Sequence, residues 1–420
     1  MKNNRTFLEK LLDGAEVEWR TLGEVSELRN TGVDKKINES EKSVRLLNFT
    51  DVFNNQYLSN STPTMIVTAS DKKIIDCNIL KGDLFITPTS EILDEIGQSA
   101  VALENIDNAV YSYHIMRIRI HDTNFLLPEF LNYLFRTSQI KQQIRKNAQG
   151  ITRFGLTLPR WKSLVIPIPP LSVQTEIVKI LDALTALTSE LTSELTSELT
   201  LRRKQYEYYR EKLLSVDNLK LSIENIQWVK LNDLGELIRG NGLQKKDFTE
   251  TGVPAIHYGQ IYTYYGTFAT ETKSFVSPEL AKKLKKAKYG DVLIAGTSEN
   301  VKDVMKPLGW FGSEIAFSGD MFAFRPNKKV NTKYLTYILQ TEKFYKFKEK
   351  YAQGTKVIRV RADNFLNYEI PLPPFEEQQR IVSILDKFET LTNSITEGLP
   401  LAIEQSQKRY EYYRELLLSF

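Results

Sequence analysis

The chain has 420 residues, 41% of them hydrophobic and 26% charged, with a mean hydropathy of −0.33. That is too long for one ordinary core and holds enough apolar material for two or three, which excludes a largely disordered chain. Its 56 basic residues against 52 acidic ones leave a net charge of only +4, so a nucleic-acid surface has to come from local clustering rather than from a globally cationic chain.

The segment Met1 to Asp13 carries Arg5, Glu9 and Lys10 and lacks the apolar run of a secretory signal, which points to the cytoplasm. Its Glu9-Lys10-Leu11-Leu12 echoes Glu211-Lys212-Leu213-Leu214, and Trp19 then follows as Trp228 does. The first half therefore begins with a fragment of a helix end that the second half inherits from its neighbour, and the tail of the chain leads back toward its head. Cys77, the single cysteine, excludes an internal disulfide and a cysteine-rich metal site and reads as a small buried hydrophobe. Leu80 to Ile86, around Gly82-Asp83-Leu84, and Tyr111 to Ile118 read as strands. Between them Thr89-Ser90-Glu91 reads as a loop, serving either base contact or tight-turn chemistry. Phe130 to Lys146 reads as a helix that gathers Lys141, Arg145 and Lys146 before Gln149, Gly150 and Arg153. Apolar stretches such as Leu164 to Leu171 are short and broken by proline, so no transmembrane span of ~20 residues is present.

From Ser172 to Ser215 the apolar positions Ile177, Ile180, Leu181, Leu184, Leu187, Leu191, Leu195 and Leu199 step by three or four residues, the mark of an amphipathic helix. At 1.5 Å per residue it would reach roughly 66 Å and needs a long partner to cover its stripe. Within it Thr-Ser-Glu-Leu repeats three times without error from Thr188 to Leu199. Two readings stand for this run: a spacer of defined length, or replication slippage tolerated on a helix. Tyr206, Tyr208 and Tyr209 near its end read as packing residues against a helix or a partner protein.

The second half repeats the first. Ala148-Gln149-Gly150 recurs as Ala352-Gln353-Gly354, 204 residues on, and the same offset carries Pro169-Pro170 onto Pro373-Pro374, Gln174 onto Gln378 and Tyr206-Glu207-Tyr208-Tyr209-Arg210-Glu211 onto Tyr410-Glu411-Tyr412-Tyr413-Arg414-Glu415. Gly290-Asp291-Val292 answers Gly82-Asp83-Leu84, and Thr297-Ser298-Glu299-Asn300 answers the first polar loop. His257-Tyr258-Gly259-Gln260 and Tyr262 form either a groove-facing loop or a sheet edge. Lys282 to Lys288 reads as a basic surface helix. Tyr334 to Lys350 reads as a helix with Lys346, Lys348 and Lys350, followed by Gln353, Gly354, Lys356, Arg359 and Arg361. Glu376 to Ser419 is the partner of the first long helix, bent or looped at Gly398-Leu399-Pro400 because proline removes a backbone donor. Between the anchors the halves diverge, which separates a shared scaffold from two different readers.

No constellation for catalysis emerges. There is no Gly-rich phosphate loop ending in Gly-Lys-Ser or Gly-Lys-Thr. Pro373-Pro374-Phe375 looks like the core of an adenine methyltransferase loop, but Leu372 stands where a polar residue has to hold the adenine amino group. The three histidines, His114, His121 and His257, lack zinc spacing.

Two unlike domains, each followed by a shared long helix, resemble the specificity subunits of type I restriction and modification systems. The resemblance covers nearly the whole chain and rests on the order and twofold recurrence of the Gly-Asp strands, the Pro-Pro junctions and the Gln174 and Gln378 helix starts. It implies an α+β fold with two mixed α/β target recognition domains, residues 1–168 and 218–372, and two long antiparallel coiled-coil helices, residues 169–217 and 373–420, in a pseudo-twofold repeat. It also implies a non-catalytic reader of a bipartite target in double-stranded DNA. Two adenine-N6 methyltransferase subunits and the restriction motor subunits would be its partners. S-adenosylmethionine, ATP and Mg would be held by those partners, with no cofactor or metal in this chain. Some relatives vary such short repeats to set the gap between half-sites. Candidate DNA contacts are Thr89, Ser90, Lys141, Arg145, Lys146, Gln149, Gly150 and Arg153 in the first domain. In the second they are Tyr258, Gln260, Thr297, Ser298, Asn300, Lys350, Gln353, Gly354, Lys356, Arg359 and Arg361, each weighed against a solvated surface charge. The rivals are an unfamiliar methyltransferase or nuclease, and a coiled-coil adaptor gripping proteins.

Overall fold

The computed structural model describes residues 7–215, 217–219, 226–394 and 397–420. By backbone proximity they fall into two units: residues up to Thr192 together with Gln405–Phe420, and Ser193–Glu404.

In the first unit Glu18–Thr21 pairs antiparallel with Val165–Ile168, which closes the domain just before the Pro-Pro junction. The main sheet runs in the order Ser26–Arg29, Met116–Ile120, Leu84–Ile86, Ser99–Ala102, Tyr57–Leu58. One face packs on helices Pro128–Leu134 and Ser138–Asn147 and on the start of the long helix, in a cluster that holds Phe130, Trp161, Ile177 and Leu181. A second cluster, with Cys77 buried among Val44, Leu46 and Val67, packs around the three-stranded sheet Met65–Ala69, Lys42–Leu47, Ala109–Tyr111.

The second unit repeats the closing ladder, Gln227–Lys230 on Glu369–Leu372, and the main sheet in the same order: Gly235–Arg239, Met321–Pro326, Val292–Ala295, Pro307–Trp310, Phe268–Ala269. Its other sheet has five strands where the first unit has three, so divergence concentrates away from the helices.

Short motifs shared by the halves turn out to be joints. Gly82 and Gly290 sit at φ +85° and +87°, the left-handed region open to glycine. The aspartate after each is buried and caps its own turn, Asp83 accepting from Leu80 N and Asp291 from Lys288 N, both at 2.8 Å. Each then receives a two-pronged arginine, Arg119 at 2.6 and 2.7 Å and Arg325 at 3.0 and 2.8 Å. Gln174 and Gln378 are both 0% exposed. Gln174 accepts from Leu127 N at 2.8 Å and donates to Phe125 O and Pro169 O at 2.9 and 2.8 Å. Gln378 does the same with Asn331 N, Lys329 O and Pro373 O at 2.8, 3.1 and 2.9 Å. These amides clamp each long helix to its domain.

Leu171–Leu213 is one unbroken helix of 43 residues. Its counterpart is Phe375–Asn393 and Leu399–Leu417, interrupted before Gly398 at φ +83°, so the expected bend lies there with Pro400 inside the first turn of the second piece. In the second unit the two helices run antiparallel: Arg203 reaches Thr392 O at 3.4 Å, whereas Tyr206 and Tyr209, further along, stack on the earlier Phe388 at 6.4 and 5.5 Å. The tail returns to the head as expected, since Leu417 and Leu418 lie in the first unit's core with Leu8. Glu415 of that tail caps helix Ser138–Asn147, accepting from Ser138 N at 3.0 Å, and Glu211 caps Glu342–Tyr351 at 3.1 Å. Glu415 and Glu211 thus hold the same place in the two units, as the 204-residue offset gives, and Leu11 and Leu12 of the head pack on the core that receives the tail.

Several expected elements are corrected. Tyr111 to Ile118 is two strands, ending at Tyr111 and restarting at Met116, and of Leu80 to Ile86 only Leu84–Ile86 pairs. Phe130 to Lys146 and Tyr334 to Lys350 each split into two helices, because Thr137 and Thr341 adopt extended backbone and cap the second piece. Their hydroxyls also donate to Leu134 O and Ile338 O, both at 2.7 Å. The lysine run is no helix: Pro278–Ala281 stops before it, and Lys286–Ala287 joins a sheet. Leu187, just before the Thr-Ser-Glu-Leu run, and Leu191 within it are 61% and 39% exposed, Leu195 is half-buried and Leu199 buried, while Thr188 and Thr192 turn half inward. A leucine every four residues gains about 40° per step on a 3.6-residue turn and cannot hold one face.

Candidate nucleic-acid interface

Helix Ser138–Asn147 ends at Ala148, whose extended backbone releases the chain into a hairpin. Gln149 and Gly155 exchange N–H···O bonds at 2.9 Å in both directions, and Gln353 and Arg359 do the same. Gly150 and Gly354 stand at φ +134° and +110°, and a Cβ on either would lie 1.9 Å from Arg153 O or 2.1 Å from Val357 O. Glycine is thus required by the closeness of the loop to itself. The return strands are pinned from outside, Phe154–Gly155 on Thr89–Ser90 and Ile358–Arg359 on Thr297–Ser298. Both hairpins project their tips into solvent: Ile151 is 95% exposed, Thr152 and Arg153 are exposed beside it, and Thr355, Lys356 and Val357 are exposed in the other.

The expected polar loops are accordingly short strands. Ser90, Thr297 and Ser298 are buried in these ladders, and Ser90 Oγ donates to Glu95 at 2.7 Å. Asn300 shapes a turn, accepting from Asp303 N at 2.9 Å. Thr89 carries Arg153, whose Nε donates to its Oγ1 at 3.0 Å. The guanidinium then borders a recess of about 380 Å³ lined by Phe49, Glu91, Ile92 and His114. His114 lies with Tyr113, ring centroids 4.0 Å apart, and burial holds its pKa below the usual histidine range.

In the second unit Gln353, Gly354, Arg359 and Arg361 gather with Arg239 around a recess of about 650 Å³ that also holds Asp320 and Asp363. Arg359 and Arg153 are not equivalents: Arg359 occupies the position of Gly155 in the hairpin register. The Gln149 amide is satisfied with its oxygen toward Arg160, at 3.0 and 3.1 Å.

Other candidates lie elsewhere. Lys141 is an internal strut, donating to Asp94 O and Ile96 O at 2.8 and 3.2 Å, and burial pushes its pKa down to about 8. Lys348 donates likewise to Lys302 O and Val304 O at 2.5 and 2.9 Å, with its pKa also down to about 8. Arg145 is paired to Asp94 at 2.7 Å. Lys146 and Lys350 lie exposed near the helix ends, Lys350 over the Tyr351 ring at 5.4 Å. Tyr258 and Gln260 are neither loop nor sheet edge but the start of helix Tyr258–Thr263. Gln260 accepts from His257 N at 2.9 Å and donates to Ser274 Oγ at 2.7 Å. The missed contributors are Arg239 and His114, which lie far along the chain from the hairpins they border. Among the described residues no three His, Cys, Asp or Glu side chains gather into a metal site, and no helix is long and apolar enough to cross a membrane.

The family model for the type I restriction modification DNA specificity domain matches twice, at residues 15–201 and 223–405. A Haemophilus influenzae protein assigned as a type I restriction enzyme specificity subunit is 40% identical over 434 residues, covering 100% of both chains. The Escherichia coli EcoR124I/EcoR124II specificity subunit is 30% identical over 428 residues, covering 99% of this chain and 97% of its own. Among solved structures, a chain from a study of type I restriction-modification complex assembly and conformational transition superposes with a TM-score of 0.66 at 19% identity, covering 96% of this chain and 97% of that one. The HsdS subunit of Thermoanaerobacter tengcongensis superposes at 0.54, also 19% identical, over 96% and 95% of the two chains. At that identity the two structures speak for the fold.

Proposed function

This chain belongs to the type I restriction-modification DNA specificity family, and from that premise we propose that it is the subunit that reads a two-part duplex DNA target. The observation that carries the proposal is the pair of Gln-Gly hairpins, built alike in the two units yet tipped with different residues, Ile151-Thr152-Arg153 against Thr355-Lys356-Val357. Like backbones with unlike tips suit two readers of two half-sites. Arginine and lysine there hold phosphates, and polar tips and the arginine-lined recess face base edges.

In this reading residues 1–168 and 218–372 are the readers, and the helices in 169–217 and 373–420 carry the methyltransferase subunits, two per chain, to which restriction motor subunits add. Catalysis belongs to those partners with S-adenosylmethionine, ATP and Mg, and the chain works without turnover of its own in the cytoplasm. The exposed Tyr208 and Tyr412, at matching places on the helix tails, suit partner contact, while Tyr206 is buried as packing. The number of Thr-Ser-Glu-Leu copies sets the unread gap between half-sites.

The test is to replace residues 1–165 with the corresponding segment of a relative and map methylated sites in a host carrying the partner subunits. One half of the methylated motif changes and the other stays. A change in both halves, or methyl transfer by the purified chain alone, refutes the reading.

A further inference from the structure

The densest run of positive charge in the chain lies outside both hairpins. Short helix Pro278–Ala281 delivers the chain into Lys282-Lys283-Leu284-Lys285-Lys286-Ala287-Lys288, and every third position turns inward: Ala281, Leu284 and Ala287 are 3%, 6% and 0% exposed. Lys282, Lys283, Lys285 and Lys288 are exposed between them, and among the described residues none of the four ammonium groups has an ion pair or a hydrogen bond. The turn is held in shape by Asn241, which uses both ends of its amide, Nδ2 donating to Lys283 O at 2.9 Å and Oδ1 accepting from Lys285 N at 2.7 Å.

Asn241 also joins this turn to the candidate interface. It follows Arg239 by two residues and lies on Gly319, where a Cβ would come within 3.5 Å of Asn241 Cα, and Arg239 and Gly319 both line the recess of about 650 Å³ beside the Gln353-Gly354 hairpin. Arg239, Arg359 and Arg361 at that recess are exposed and equally without ion pairs among the described residues, although Asp320 and Asp363 line it too. Four lysines and three arginines thus form one connected tract on the second unit. The first unit has no such tract. Counted back from the matching turn glycines Gly82 and Gly290, the four lysines fall on Ile74, Ile75, Cys77 and Leu80. The match holds in the fold, since Leu80 N and Lys288 N donate alike to Asp83 and Asp291. Cations around that part of the first unit are neutralised: Arg29, on the strand that answers Gly235–Arg239, pairs with Glu27 at 2.8 Å, Lys36 with Asp34 at 3.2 Å and Lys42 with Asp71 at 2.7 Å.

We propose that the lysine turn is a clamp for the phosphate backbone of duplex DNA, present in the second reader alone, and that it holds the duplex without regard to sequence beside the bases that the hairpin and recess face. This rests on the reading above, in which residues 218–372 read DNA. Ammonium groups on long stems act as point charges and suit a row of phosphates, whose condensed counterions they release. Such contacts position a protein on the duplex and carry no sequence information. An acidic protein fits less well. Protein interfaces are poor in lysine, and with Leu284 and Ala287 turned inward no apolar anchor stands between these ammonium groups. The second unit then carries a salt-dependent share of the affinity that the first unit lacks.

The test uses the full chain assembled with its methyltransferase subunit and titrates two labelled duplexes, one holding the methylated motif and one unrelated, by fluorescence anisotropy at several salt concentrations. Lys282→Gln, Lys283→Gln and Lys285→Gln combined should make the slope of log affinity against log salt shallower by about 2–3, at ~0.9 per phosphate, and weaken binding to both duplexes by the same factor, roughly tenfold or more. Arginine at the same three places keeps slope and affinity, because the charge is what acts, and the methylated motif stays the same throughout. A slope that moves by less than one returns the lysines to solvent and overturns the clamp. Weakening confined to the motif duplex marks base reading, and weaker assembly with unchanged DNA binding marks an acidic protein; either result overturns it as well. Lys36→Gln with Lys42→Gln in the first unit is the control, and an equal loss of slope per lysine there reduces the effect to net charge and overturns the clamp. An original complex that binds both duplexes equally refutes the functional reading itself, a separate result, since the clamp is also read on the unrelated duplex.

Discussion

Removing Thr192 to Leu195 takes one Thr-Ser-Glu-Leu copy from the unbroken helix Leu171–Leu213. Four residues shorten a helix by about 6 Å and turn everything beyond the cut by about 40°. One base-pair step of B-DNA rises about 3.4 Å and turns about 35°, so the change amounts to one or two steps. The fold tolerates it, since Leu187 and Leu191 are already 61% and 39% exposed and the inward face of this stretch is built partly from threonine. The counterpart helix has a joint at Gly398, φ +83°, where a change in reach can be taken up. The deletion variant should therefore modify the same two half-sites with the gap between them shortened by one or two base pairs. Single-molecule sequencing of methylated adenines in hosts carrying either form reads this directly. An active variant that keeps both the half-sites and the original gap would show that the repeats are passive filler.

Replacing the clamp in Gln378→Leu strands Asn331 N, Lys329 O and Pro373 O in a buried corner. It should cost about 2–4 kcal/mol in urea denaturation, and a loss under 1 kcal/mol would remove the clamp from the account. Arg153→Ala should lower DNA affinity of the assembled complex several-fold and reduce the slope of log affinity against log salt by about one, with assembly untouched; an unchanged slope would return Arg153 to the exposed surface. Lys348 has a folded-state pKa of about 8, below its ordinary value of 10.5, through burial. Between those values the unfolded chain holds the proton and the folded chain does not, so stability should rise as pH goes from 7 to 9.5. Lys348→Met should remove that rise, on the order of 2 kcal/mol, in denaturation curves at the two pH values; parallel curves for both proteins would contradict it.

Much of the site could be read before any coordinates. The offset of 204 residues located both Gln-Gly hairpins, and glycine there proves to be demanded by contacts of 1.9 and 2.1 Å within the loop itself. Loop-internal geometry of that kind is written in adjacent residues. That Lys141 is a strut within the domain could not be read in advance, because an ammonium on a helix looks the same in sequence whether it meets phosphate or two carbonyls some 45 residues away. Arg239 and His114 were missed for the corresponding reason, since only folding brings them to the hairpins.

The sequence by itself determined the twofold plan, the pairing of a reader with a long helix in each half, the break near Gly398 and the return of the tail to the head. Those follow from repetition, periodicity and proline or glycine chemistry, all local in the chain. Tertiary structure alone decided which residues do which work. It split the expected helices at Thr137 and Thr341 and turned Leu187 and Leu191 outward. It also gave Asp83 and Asp291 their arginines. Burial and hydrogen-bond partners depend on neighbours that arrive from distant parts of the chain, and no local pattern records who they are.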